Sequence, residues 1–229
     1  MVGKMAQFLI YALVTASALI FPIQGEAGKY YPLEQGRSWT YRVTKTDIMG
    51  EQSTYDFTRR AIAIRTLDGQ QVVPLEYTRD GTTAGWVYVI ENDAGIMWYA
   101  QQSSQQGTPT LLETYALRYP IREGRSWDES MSSYLLPVTE KVPYTTTISS
   151  LTDSVMVAAG RFDNCLRLRM EGRKRIEGGL YWGGTVVIEA IDWHCIGVGF
   201  TKSVVEQRIE HPVIDLRATK EEELLGFTR

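Results

Sequence analysis

The chain of 229 residues carries 24 Lys and Arg against 27 Asp and Glu, a net charge of −3, with 44% hydrophobic and 11% aromatic residues. That composition excludes a disordered chain and supplies a substantial core. Charges of both signs are mixed along the sequence with no basic patch, which excludes a nucleic-acid partner.

The N-terminus differs in kind from the rest. Lys4 is followed by an uncharged run from Met5 to Gly25, apolar from Phe8 to Phe21 and broken by Pro22. Gly25 and Ala27 place small residues at the −3 and −1 positions of a cut before Gly28, the layout of a secretory signal. Residues 1–27 are therefore expected to be a signal peptide and 28–229 one β-rich domain. The competing reading is an uncleaved anchor, since the uncharged run is long enough to reach across a bilayer. A lipid anchor is not expected, because no cysteine precedes Cys165. After cleavage no stable membrane span is expected, and the location is periplasmic or secreted.

From there on the chain reads as short runs of Val, Ile, Thr, Tyr and Trp separated by Gly and Asp. Trp39, Tyr41 and Val43 share one face of a strand. Asp68-Gly69 and Asp80-Gly81 are hairpin-type turns. Gly85–Glu91 is apolar on both faces, with Trp86, Tyr88 and Ile90 on one and Val87 and Val89 on the other. Ala94-Gly95 separates it from a further strand. Gln101–Pro109 is polar and reads as a surface loop. Leu166, Leu168 and Met170 alternate with Arg167, Arg169 and Glu171, the cleanest half-buried strand of the chain. Gly178-Gly179 reads as the next turn, with a bulge or bend at Gly183-Gly184 inside the run ending at Trp193. Val186–Trp193 is again apolar on both faces. Lys220–Leu225 fits a short C-terminal helix or a strand end. The spacing predicts an all-β, antiparallel curved sheet: a half-barrel, a barrel-like meander or a sandwich.

One segment recurs. Tyr31–Trp39 reads YPLEQGRSW and Tyr119–Trp127 reads YPIREGRSW. Pro fixes φ, Gly permits a turn, and Trp begins the following strand. The pair reads as a recurring device for starting a strand, with an internal duplication as the alternative.

Three segments carry a family resemblance: Tyr31–Tyr41, Val157–Leu166 (VAAGRFDNCL) and Trp193–Lys202 (WHCIGVGFTK). On them the chain resembles a group of uncharacterised exported bacterial proteins with a domain of unknown function. It departs at His194-Cys195-Ile196, where those proteins commonly carry Ala-Pro before the first Gly. At the level of architecture such proteins are similar to LolA/LolB-type carriers, in which a curved sheet wraps an apolar cavity. The resemblance implies fold and compartment rather than an activity.

No catalytic constellation stands out. Adjacent strand residues face opposite ways, so His194 and Cys195 cannot readily share one ligand, and two His with two Cys are too few for a structural zinc site. There is no Gly-x-Ser-x-Gly elbow, and Gly197-Val198-Gly199 lacks the rest of a phosphate loop. Asp153, Asp163 and Asp192 read as turn or strand-edge residues. No metal and no cofactor is expected. Export favours a Cys165–Cys195 disulfide. A hairpin centred on Gly178-Gly179 speaks against it, because it pairs Cys165 near Asp192, about three residues short of Cys195.

The remaining lead is aromatic. Strands apolar on both faces need cover on both. Either the sheet packs on itself, or it leaves an apolar groove lined by Trp86, Tyr88, Trp182 and Trp193. The function expected is an exported, non-catalytic binding or interaction protein of the bacterial envelope, taking an envelope protein or an apolar small molecule as partner. The alternative is an envelope hydrolase with a carboxylate site of no known motif. The exported protein is expected to begin within a few residues of Gly28 by intact-mass measurement; a membrane-bound species retaining Met1 would show an anchor instead.

Overall fold

The computed structural model describes residues 29–136, 140–179 and 181–228; the signal segment lies outside the described residues. Thirteen strands follow in chain order: β1 (Ser38–Thr46), β2 (Gln52–Ala61), β3 (Arg65–Leu67), β4 (Gln70–Arg79), β5 (Thr82–Asn92), β6 (Gly95–Gln102), β7 (Thr110–Arg118), β8 (Ser126–Ser132), β9 (Lys141–Val157), β10 (Gly160–Arg175), β11 (Thr185–Cys195), β12 (Gly199–His211) and β13 (Ile214–Thr228). All pair antiparallel in the order β7-β6-β5-β4-β2-β1-β13-β12-β11-β10-β9-β8, with β3 hairpinned onto β4 off this path.

That order is two six-stranded meanders laid end to end, one from β1 to β7 and one from β8 to β13, joined where β1 pairs β13. The sheet curls until its two edge strands nearly meet. Across that seam, Glu129 on β8 accepts a hydrogen bond from the Tyr115 backbone N–H of β7 at 3.3 Å and faces Arg118 at 3.8 Å. The expectation of an all-β curved sheet holds. The C-terminal ambiguity resolves as strand, since Lys220–Leu225 lies inside β13. Among the described residues no helix is long and apolar enough to cross a membrane.

Parity along each strand decides what lies inside. Trp39, Tyr41 and Val43 on β1 are buried, as are Leu166 and Leu168 on β10. The inner face is filled by two apolar clusters. The larger gathers Trp39, Tyr41, Leu75, Val89, Trp127, Ile148, Leu166 and Leu224; the smaller gathers Leu135, Val142, Val186, Ile188 and Ile209. Strands apolar on both faces do receive two layers of cover. Val87 and Val89 face the larger cluster, while Tyr88 and Ile90 pack outside with Val72 and Ala100. There β3 lies over them, with the Arg65 guanidinium 4.4 Å from the centre of the Tyr88 ring. On β11 the outward Val187 stands in register between Arg173 and Arg208, whose stems supply its cover.

The recurring segment proves to be one device used twice. Gly36 donates to the Ala61 carbonyl and Ala61 donates back to Arg37, at 2.8 and 2.9 Å. Gly124 and Arg125 repeat both bonds with Ile148, at the same two distances. Each glycine takes a positive φ, 89° and 77°, so a side chain there would be strained. Each copy opens the first strand of one meander with a buried Trp.

The structure corrects the register of the cysteine hairpin. Gly178-Gly179 and Gly183-Gly184 both fall in one loop, residues 176–184, so neither pair centres a tight turn and Gly183-Gly184 lies before β11 begins; the irregularity β11 does have comes at Trp193/His194, in its pairing with β12. The loop is closed by Ile176 donating to Gly184 and Gly183 donating to Ile176, at 2.8 and 3.0 Å. Moving the centre of the hairpin there sets Cys165 directly opposite Cys195, and the two form a disulfide across 30 residues of sequence. Closing a loop of that length is worth about 3–4 kcal/mol in the chain-entropy account. Denaturant unfolding with and without reductant should show a loss of that order, and a Cys165→Ser, Cys195→Ser double variant should match the reduced protein.

Candidate functional site

A polar belt crosses the middle of the barrel wall between the two apolar clusters. Strand parity turns Arg59 inward from β2, Tyr77 from β4, Glu222 and Lys220 from β13, Ser203 from β12 and Asp192 from β11. Pairing places Arg59 beside Tyr77, Asp192 beside Ser203, and Ser203 beside Glu222. Arg59 is 8% exposed and lies 5.0–5.8 Å from the ring centres of Tyr41, Phe57, Tyr77 and Phe200. Glu222 takes Arg59 at 3.5 Å and Lys220 at 2.9 Å. Burial works against the Arg59 charge, and the phenols of Tyr77, Tyr41 and Tyr31 with Glu222 outweigh it, so the group stays cationic. Burial pushes the Tyr31 phenol up to about 12 and the Tyr41 phenol higher still.

Two members of the belt titrate unusually. Asp192 is not the strand-edge residue its sequence suggests: it sits mid-strand in β11, and its Oδ1 is sealed from solvent without a hydrogen-bond partner. Burial raises it from 3.8 to about 6, against a hydrogen bond from Ser203. His194, 3% exposed, stacks 5.8 Å from Tyr31 and meets Phe200 edge-on at 5.5 Å. Burial lowers it from 6.5 to about 3, against a hydrogen bond to the Tyr30 backbone. Both groups are neutral in the interior over most of the pH range between those values.

Beside Arg59 the belt leaves no room for a ligand. The cavity beside Arg59, walled by Tyr31, Trp39, Tyr41, Leu75 and Phe200, measures about 10 Å³, room for one water. The open space lies at the end of the barrel carrying the β1–β2 turn. There a cleft of about 330 Å³ is lined by Lys45, Thr46, Asp47, Ile48, Glu51, Gln52, Ser53, Tyr134, Ala218 and Thr219. Its far wall is the loop after β8, pinned by Gln207, whose Oε1 accepts from the Ser133 hydroxyl at 2.8 Å and the Tyr134 N–H at 2.9 Å. With Leu135 buried beneath, the Tyr134 ring is turned out over the cleft and is 58% exposed. Lys45 reaches in from the inner face of β1, its Nζ 5.5 Å from the centre of the Tyr55 ring and 6.0 Å from that of Tyr134.

The four aromatic residues proposed for a groove are not assembled into one. Trp86 and Tyr88 lie together on the outer face of β5 under β3. Trp193 packs at the larger cluster and donates to Asp153 Oδ2 at 3.0 Å, while Trp182 sits in the 176–184 loop, 68% exposed. Asp153 also holds Arg167 at 3.2 Å, and Asp163 holds Arg161 at 3.1 Å. Neither the cleft residues Lys45 and Tyr134 nor the buried Arg59 was singled out by the sequence. A signal existed for Arg59: it stands on the inward parity of Tyr55, Phe57 and Ala61. Tyr134 carried none, since its place depends on the fold of a loop.

No family model matches the chain, and no curated protein matches it. Two solved structures do. One is a protein of Bacteroides fragilis assigned as exported and as having a YmcC-like fold, 11% identical over 87% of this chain and 98% of that one, with a TM-score of 0.43. The other is a protein of Parabacteroides distasonis assigned as a lipoprotein, 14% identical over the same shares, with a TM-score of 0.44.

Asp192 and His194 make opposite contributions to stability with pH. Between about 4 and 6 the folded chain keeps a proton on Asp192 that the unfolded chain has lost, so stability falls as pH rises through that window. Below 6.5 the unfolded chain protonates its histidine and the folded one does not until about 3, so stability falls as pH drops through that window. Where they overlap the two slopes cancel. The stability of Asp192→Asn relative to the unsubstituted protein should therefore grow by about 2–3 kcal/mol from pH 4 to pH 7 in urea unfolding. A difference that stays constant with pH would show that Asp192 titrates normally.

Proposed function

We propose that the protein is an exported, non-catalytic binding protein of the bacterial envelope that takes its ligand at the end of the barrel and not in its interior. The observation that supports this reading is the contrast between two spaces. The interior is filled by its own side chains, and its ionised groups answer one another: Arg59 and Lys220 on Glu222, with rings around the guanidinium. The cleft at the β1–β2 end is open, and its volume of about 330 Å³ falls in the range of small-molecule sites, roughly 300–1,000 Å³.

The same contrast weighs against the alternative of a carboxylate-based hydrolase. Glu222 is buried and engaged by Arg59 and Lys220, and Asp192 Oδ1 is sealed from solvent, so neither carboxylate is presented to a substrate. It also shifts the carrier-like reading. The inner face is filled by two apolar clusters, which favours a place for an apolar ligand at the mouth over one along the axis.

The test is direct. The mature domain should bind the neutral apolar dye N-phenyl-1-naphthylamine at one saturable site, and Tyr134→Ala should weaken that binding with the melting temperature nearly unchanged. Turnover of nitrophenyl esters, phosphates or glycosides, abolished by Glu51→Gln or Asp47→Asn, would replace this reading with an enzyme.

A further inference from the structure

The cleft pairs a half-buried cation with apolar walls, and among the described residues no carboxylate pairs with that cation. Lys220, the cross-strand neighbour of Lys45 on β13, is held by Glu222 at 2.9 Å. No carboxylate among the described residues lies within ion-pair distance of Lys45, whose Nζ stands over the Tyr55 and Tyr134 rings instead. A half-buried ammonium that only rings attend is less screened by water than a surface lysine and keeps its donors available.

The acidic residues of the cleft are placed differently. Asp47 and Glu51 are exposed at the turn that forms its mouth. One oxygen of Asp47 is engaged in that turn, accepting from the Met49 and Glu51 backbone N–H groups at 2.8 and 3.0 Å. Their charges are screened by solvent, yet they disfavour a ligand with negative charge spread to its outer end. The lining also carries Ile48, Ala218 and the Tyr134 ring, which suit an apolar or aromatic body.

We propose that this cleft binds an organic monoanion with an apolar body, its negative group on Lys45 Nζ and its body between Tyr134 and Ile48. The proposal rests on the binding reading above and adds the chemical class of the ligand. Ser53, the cross-strand neighbour of Lys45 on β2, is also in the lining and offers a hydroxyl donor beside it.

Two dyes with one aromatic body test it: 1-anilinonaphthalene-8-sulfonate carries a sulfonate and N-phenyl-1-naphthylamine does not. The sulfonate dye should bind the mature domain about tenfold more tightly, the gain of one charge-assisted contact. Lys45→Met should remove that advantage and leave the neutral dye within about twofold, and Lys45→Arg should restore it. Rising salt should weaken only the sulfonate dye. Retention of the melting temperature in Lys45→Met excludes a folding defect. Equal affinity for the two dyes, or a sulfonate preference unchanged in Lys45→Met, overturns the anion assignment while leaving the binding reading intact. If neither dye binds, both fall.

Discussion

A guanidinium sits in the middle of this barrel, and the interior is arranged around it. A buried charge without a partner costs several kcal/mol, and removing one partner of a buried pair costs about 3–5 kcal/mol. Arg59 is answered by Glu222 across the β1 strand and by rings from β1, β2, β4 and β12. With β13, which carries Glu222, those strands straddle the junction of the two meanders. The interaction therefore fixes how the first meander curls against the second, a geometry that apolar contacts alone leave loose. Glu222 in turn fixes Lys220, while burial, with Glu222 adding to it, holds the Asp192 carboxyl above the usual carboxylate range.

The segments that carry the family resemblance meet at one end of the molecule. Arg37 and Trp39 from the first donate to the Gly197 and Val198 carbonyls of the third, and Tyr41 donates to Phe200 at 2.9 Å. The disulfide ties the second to the third. Their residues are thus spent on closing the barrel: side chains at the start of β1 satisfy carbonyls of the β11–β12 turn beside the place where β1 pairs with β13. The second copy of the YP-GRSW device lacks that partner. Its Trp127 indole N–H is buried without an acceptor, and the strand it opens, β8, remains an edge. One copy completes the sheet and the other stops it.

The strands were legible because period-2 alternation survives wherever one face is buried, as in Trp39–Val43 and Leu166–Glu171. Asp68-Gly69 and Asp80-Gly81 form the turns expected, all four residues with positive φ. The failures have physical causes. Two glycine pairs five residues apart look in sequence like a turn and a bulge, but a loop held by backbone hydrogen bonds absorbs both, and the cysteine register follows from that. Lys220, Glu222 and Leu224 look helical in a charged run; read with strand parity, they are the inward side of β13, with Glu221 and Glu223 outside. The aromatic groove failed for another reason. Sequence reports that Trp86 and Val186 strands need two layers of cover, and it does not report whether a ligand or the chain's own β3 and arginine stems supply them.

The two ends of the barrel therefore have different physical roles. At the Trp39 end, carbonyls, indole, guanidinium and disulfide are all engaged, and the Lys29 carbonyl accepts from Gly197 there, so the described chain starts on the sealed side. At the other end, Gln207 holds the loop after β8 by a side-chain oxygen, and the turn tips expose Met49, Tyr134, Trp182 and Val213 at 79%, 58%, 68% and 82%. Sealing one end concentrates rigidity where the chain must close. It leaves the opposite rim free to carry a cleft whose lysine is not consumed by the fold. With the inner face filled by its two apolar clusters, the binding proposed here has to be built from turns at a rim, and the β1–β2 rim is the one that carries the cleft.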